Sequence, residues 1–172
     1  MSVFVLMTQL GPEAANDAHE RRTWRERLHV DDNDEVFIPP MALKNGLAEV
    51  AKYISEKIPG KGNSTYTKKF ESGILVPDPI MLGVQADDVK GQKQFVPADG
   101  VRGSGKRVWK TFPVIPTWEA HAKIVIIDPI CRPKLKSYLE RAGQVIGMGW
   151  FRPSRNGYFG RFTVSEYKEI AT

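Results

Sequence analysis

Cysteine is almost absent: Cys131 is the only one in 172 residues. A lone cysteine excludes a disulfide within the chain and any zinc site built on thiolates, and it fits a reducing, cytoplasmic setting. Long apolar runs are also missing, so no segment can span a bilayer, and no membrane partner is expected. The first residues, Met-Ser-Val-Phe-Val-Leu-Met, lack the basic start of a secretory signal and soon meet Gln9, Gly11 and Pro12. Histidine is scarce, at three residues, and neither a metal nor another cofactor is expected. There is no internal repeat, heptad or low-complexity tract. No Gly-x-x-x-x-Gly-Lys-Ser/Thr loop occurs, because Lys61-Gly62-Asn63-Ser64-Thr65 has only a superficial likeness to one. Nucleotide hydrolysis is therefore not expected.

What remains is an ordinary globular composition, 41% hydrophobic and 26% charged, long enough for one domain with its own core. The net charge of +5 is unevenly spread. Residues 1–35 hold four arginines and eight acids, whereas residues 36–172 hold 21 basic and 12 acidic residues. Three basic windows contain no acid at all: Lys57–Phe70, Gly100–Trp118 and Gly143–Ser165. Brought to one face, they would form the electrostatic footprint of a polyanion site.

Gly143–Phe162 is the most informative of the three. It interleaves five glycines, three arginines and five aromatics. Glycine lets a backbone approach a ligand closely, arginine forks onto phosphate, and exposed aromatics offer faces to bases. A β-hairpin with core aromatics explains the same composition, with Gly147 and Gly149 at a bulge. Strand alternation cannot bury Trp150, Phe151, Tyr158, Phe159 and Phe162 together, so one or two should be exposed; Tyr158 is the expected stacking residue.

Along the chain, Ser2–Leu10 reads as an opening strand. A short arginine-bearing helix lies within Glu13–Leu28, and Asp31-Asp32-Asn33-Asp34 reads as a turn rather than a calcium loop, for want of ligand spacing and a central glycine. Glu35–Ile38 leads through Pro39-Pro40 into a helix with Leu43, Leu47, Val50, Ala51, Ile54 and Ile58 at helical spacing, ended by Pro59-Gly60. Lys61–Phe70 is expected as a basic loop. Ile74–Val76 and Ile80–Val84 are expected as strands, and residues 85–118 as an inserted excursion with a ribbon arm at Val108–Ile115. Ala120–Ile127 reads as a central strand buried on both faces. Arg132–Ala142 is a helix stopped by Gly143, followed by strands at Val145–Met148 and Tyr158–Val164. The order β-α-β…β-α-β is that of an α+β, ferredoxin-like split βαβ domain, here a single domain over 1–172.

Phe37-Ile38-Pro39-Pro40-Met41-Ala42-Leu43-Lys44-Asn45-Gly46-Leu47 resembles a segment of the RAMP proteins of CRISPR systems, which carry Ile-Pro-Gly-Ser-Ser-Leu-Lys-Gly-x-Leu-Arg at the start of the first helix. Ile38, Pro39, Leu43, Lys44 and Leu47 match; Pro40, Met41 and Ala42 replace the glycine and serines, and the glycine is shifted to Gly46. Gly143–Phe162 is similar to that superfamily's C-terminal glycine-rich motif. The closest likeness is to a divergent or reduced member of the Cas7-like branch. The resemblance implies an RRM-like core that grips guide RNA by its backbone, repeated assembly along the strand or with other effector subunits, and a ribbon thumb inserted at 85–118.

The residues expected to touch single-stranded RNA or DNA follow from charge, glycine and aromatic placement. Lys44 lies near a helix start, where free N–H groups favour phosphate. Lys61, Lys68 and Lys69 accompany Tyr66. Arg102, Lys106, Arg107 and Lys110 lie beside Trp109. Gly147, Gly149, Arg152, Arg155, Tyr158 and Arg161 complete the set. No catalytic group is expected in this binding module. Two alternatives stand beside it: a metal-independent endoribonuclease using a histidine of the arginine-rich N-terminal segment, His19 or His29, with His121 at a strand start read as structural, and a viral assembly protein whose aromatics meet protein.

Overall fold

The computed structural model describes residues 12–101, 103 and 105–170. The expected opening strand Ser2–Leu10, and Arg102 among the expected contacts, lie outside the described residues. The fold is α+β. In chain order its main elements are α1 (Pro12–Thr23), β1 (Glu35–Ile38), α2 (Pro40–Ile54), α3 (Thr67–Ser72), β2 (Ile74–Leu75), β3 (Ile80–Gln85), β4 (Lys90–Pro97), β5 (Arg107–Val114), β6 (Val125–Ile126) and α4 (Arg132–Arg141). Among the described residues the strands form three pairs, β1–β3, β2–β6 and β4–β5. The chain divides into two compact units, residues 1–37 with 82–119 and residues 38–81 with 120–172.

The first unit is organised around the β4–β5 ribbon, paired antiparallel from Lys90↔Val114 to Pro97↔Arg107. The excursion is thus a regular ladder over residues 90–97 and 107–114. Ala98 N–H donates to Lys106 O at 2.9 Å, which sets the alternation of the ladder: Trp109 and Thr111 turn their backbone groups outward. Side chains from α1 close this open edge of β5. Asn16 donates to Trp109 O at 2.9 Å, and Glu20 accepts from Thr111 N–H at 2.9 Å. The match is metric: four helical residues advance about 6 Å and two strand residues about 7 Å. Arg27, in the 3-10 turn Trp24–Arg27, donates to both Glu20 oxygens at 2.9 and 2.8 Å and to Thr111 O at 2.7 Å. Glu20 is 4% exposed, so its charge is held within the unit's interior by these three groups. Trp24 lies over Gly91, where any Cβ would come within 3.2 Å of the indole.

The second unit carries the main apolar core, in which Leu47, Val50 and Ala51 of α2 meet Phe70, Ile74, Leu135 and Tyr138. Phe70 and Tyr138 stack at 4.7 Å between ring centres. Lys61–Phe70 is not simply a basic loop, because Tyr66 and Phe70 are anchored in this core and α3 begins at Thr67. The helix expected to reach Ile58 ends at Ile54, where Ser55 takes a left-handed conformation; Ile58 still enters the core, from the segment beyond.

Three strand expectations are overturned. Only Val125 and Ile126 of Ala120–Ile127 join a ladder, because β2 is just two residues long and Pro77 and Pro79 follow it. Ile124 and Ile126 pack inward, whereas Val125 and Ile127 remain 37% and 61% exposed. Val145–Met148 is not a strand: α4 continues through Gly143 into a π turn, Ala142–Ile146, and Gly147 N–H closes it on Ala142 O at 2.8 Å. The stop is therefore Gly147, at φ 70°, where a side chain would be strained. Tyr158–Val164 is not a strand either, since its backbone bonds to the preceding loop, Gly160 O accepting from Met148 N–H at 2.8 Å.

Candidate nucleic-acid interface

The expected contact residues divide between the units. Lys106, Arg107 and Lys110 belong to the first. Lys44, Lys61, Lys68, Lys69, Gly147, Gly149, Arg152, Arg155, Tyr158 and Arg161 belong to the second. Sorting charge the same way sharpens the asymmetry: the first unit holds 10 basic and 12 acidic residues, the second 15 basic and 8 acidic, a net of −2 against +7.

In the second unit the glycine-rich segment doubles back on itself. Phe159 N–H donates to Phe151 O at 2.9 Å and Gly157 N–H to Arg152 O at 3.0 Å. Its glycines are points of close approach within the chain. A Cβ on Gly157 would lie 2.0 Å from Phe151 O, on Gly160 1.7 Å from Met148 O, and on Gly143 2.1 Å from Phe162 O. The space in front of Gly147 is filled by Pro153 Cδ at 2.6 Å. Gly149 alone in this loop faces open space.

Two of its three arginines brace the loop. Arg152 is half-buried, pairing with Glu49 of α2 at 3.1 Å and donating from Nε to Ser154 Oγ at 2.9 Å. Arg161 donates to Tyr158 O at 3.0 Å and Gln144 O at 3.3 Å. Arg155 points to solvent and forms no ion pair among the described residues. Beside it on the loop, Tyr158 is 86% exposed and Trp150 70%. The sequence favoured Tyr158; Trp150 was equally available but indistinguishable there from a core residue. Phe162, by contrast, packs on the core.

The other basic positions sort in the same way. Lys69 pairs with Asp128 at 2.9 Å; the Lys69 ammonium and the Ile130 N–H hold that carboxyl below its ordinary range. Lys61 and Lys68 are exposed, the first on the turn after Ile58 and the second on α3. Lys44 is half-buried in the second turn of α2.

In the first unit the ribbon carries an aromatic–cation stack that spacing did not reveal in full. Phe95 and Trp109 are cross-strand partners with ring centres 5.2 Å apart, each 46% exposed. The Arg107 guanidinium lies 5.1 Å over Phe95 and donates to its carbonyl at 2.6 Å. Lys110 donates to Ala98 O at 3.2 Å, and Lys106 is exposed near the tip. Phe95 was missed because Lys93-Gln94-Phe95-Val96 shows no sign of a ladder by itself.

No family model matches the chain, and no curated protein matches it. Among the described residues no cluster of His, Cys, Asp and Glu could hold a metal ion. His19, His29 and His121 are all exposed, and His29 rests against Phe37 with ring centres 5.9 Å apart. No helix of the described residues is long and apolar enough to cross a membrane.

Proposed function

We propose that the chain is a single-stranded nucleic-acid-binding protein, with RNA as the favoured strand. The observation that carries this reading is the second unit, whose net charge of +7 accompanies a braced loop displaying Arg155, Trp150 and Tyr158 outward. A fixed loop loses little entropy on binding, so stacking and phosphate contacts are realised in full. In this reading Arg155, Lys61, Lys68 and Lys44 of the second unit neutralise phosphates, and Tyr158 and Trp150 receive bases; Lys106 of the first unit offers a separate phosphate contact. Arg152, Arg161 and Lys69 hold the scaffold of the second unit while adding to its field, and Arg107 and Lys110 hold that of the first. Phosphate contacts position the strand without reading it, so sequence preference from this surface is low.

The finer picture rests on the resemblance to RAMP proteins. It is a ferredoxin-like, RRM-like core of the Cas7-like kind, working in the cytoplasm as a repeated guide-RNA subunit of a CRISPR-type effector complex. The antiparallel β2–β6 pair between α2 and α4 supplies one strand contact of that order, whereas among the described residues no strand follows α4 and the strands form three separate pairs.

Fluorescence anisotropy of labelled single-stranded RNA and DNA, titrated at several salt concentrations, tests the proposal. Affinity should fall as salt rises, since each neutralised phosphate of a single strand contributes about 0.7 to the slope of log K against log salt. Tyr158→Ala should weaken binding by about tenfold, within the 1–3 kcal/mol of a stacked base, and Arg155→Glu should flatten the salt slope. No binding at low salt refutes the proposal.

A further inference from the structure

α2 and the segment that follows α4 border an open surface groove of about 600 Å³ that none of the expected contacts explains. Val145, Ile146 and Pro153 make it apolar on one side, and Tyr53, 62% exposed, makes it aromatic on the other. Glu49 and Ser154 provide its polar edge and Lys52 a cation. The volume is that of a small-ligand site, apolar with a few placed polar groups.

The polar groups have defined hydrogen-bond senses. Arg152 donates to Glu49 Oε2 and to Ser154 Oγ. Glu49 Oε1 thus stays available as an acceptor, Oε2 keeps a second lone pair beside its bond from Arg152, and the Ser154 hydroxyl keeps its proton to donate. Arg141, its guanidinium 6.0 Å from the centre of the Tyr53 ring, adds a positive charge at the rim. Acceptor, donor, aromatic face and cation together describe a base attached to a phosphate. Among the four RNA bases only guanine presents two adjacent N–H donors, N1–H and the exocyclic amine, beside a carbonyl acceptor. A carboxylate is acceptor-only, so its two oxygens favour that paired edge over the single amino group of adenine or cytosine and over the lone N3–H of uracil.

The geometry points to a guanine-selective base pocket, in which a guanine unstacked from a bound strand lies on Tyr53, gives its N–H groups to Glu49 and receives a hydrogen bond from Ser154 or Lys52. This site rests on the nucleic-acid reading above and adds to it the sequence preference that phosphate contacts lack.

The test compares a short oligouridylate with the same strand carrying one central guanosine, by anisotropy with the full chain. The guanosine strand should bind about tenfold more tightly, within the 1–3 kcal/mol of discrimination that a bidentate base contact gives. Glu49→Gln should remove that margin. Because Glu49 also holds Arg152, Tyr53→Ala and Tyr53→Phe provide an independent pair at an exposed position: the first should lose the margin and the second keep it. Equal affinity of the wild type for both strands, or a margin that survives Tyr53→Ala, overturns the pocket alone. Failure of every strand to bind the wild type overturns the broader reading as well.

Discussion

Replacing Glu20 by alanine removes the group on which α1, the 3-10 turn and β5 converge. Its carboxylate accepts from Arg27 at 2.9 and 2.8 Å and from Thr111 N–H at 2.9 Å, with the side chain 5% exposed. Losing one partner of a buried pair costs about 3–5 kcal/mol. An orphaned backbone N–H costs about 1–3 kcal/mol, not fully additive with the first. Arg27 keeps its bond to Thr111 O at 2.7 Å, which moderates the loss. The expected destabilisation is about 4 kcal/mol, a urea midpoint lowered by roughly 2 M for a slope of about 2 kcal/mol/M. Tryptophan fluorescence reports it, because Trp24 and Trp109 lie in the same unit. Burial pushes the Glu20 carboxyl up, but Arg27 and the Thr111 N–H outweigh it and leave it below its ordinary value of 4.5. A carboxyl lowered on folding stabilises above that ordinary value, and the contribution disappears as pH falls through the folded one. Wild type and variant should therefore differ most at neutral pH and converge in acid. A midpoint shift below about 0.5 M at pH 7, or a gap that widens on acidification, refutes the argument.

Gly160→Ala should destabilise the second unit by about 2 kcal/mol or more, because its φ of 75° is unfavourable for alanine and the new Cβ would meet Met148 O at 1.7 Å; a melting temperature within a degree or so of wild type would contradict this. Cys131 is fully buried and its thiol is pushed up to about 11, first by burial and then by the Asp128 carboxylate. Alkylation by iodoacetamide at pH 8 should be slow in the folded chain and fast in urea, and equal rates would show that the thiol is accessible.

Helices were legible where a signal was local. Pro39-Pro40 and the spacing of Leu43, Leu47 and Val50 specify α2, and Leu135, Tyr138 and Leu139 specify α4. Strands were less so, because a ladder depends on a partner. Ile124-Val125-Ile126-Ile127 has the composition of a buried strand, yet β2 supplies only two residues to pair with it. β4 illustrates the converse: Lys-Gly-Gln-Lys-Gln is a weak strand by composition, and β5 together with Trp24 over Gly91 makes it one. Partners were equally hidden. Nothing near Arg152 in sequence announces Glu49, 103 residues away, as its counterion.

The glycine-rich segment shows why composition left two readings open and how the fold separates them. Close approach to a ligand and close approach to the chain itself both require the absence of a Cβ. At Gly143, Gly147, Gly157 and Gly160 that space is taken by Phe162, Pro153, Phe151 and Met148. At these glycines the missing Cβ serves the packing of the loop on itself. A ligand of the loop is then met by its outward side chains and by Gly149, the one glycine of the segment whose Cβ direction is open. Loop stability and affinity should accordingly separate: glycine substitutions act through folding, whereas changes at Arg155 and Tyr158 act on binding while leaving the melting temperature nearly untouched.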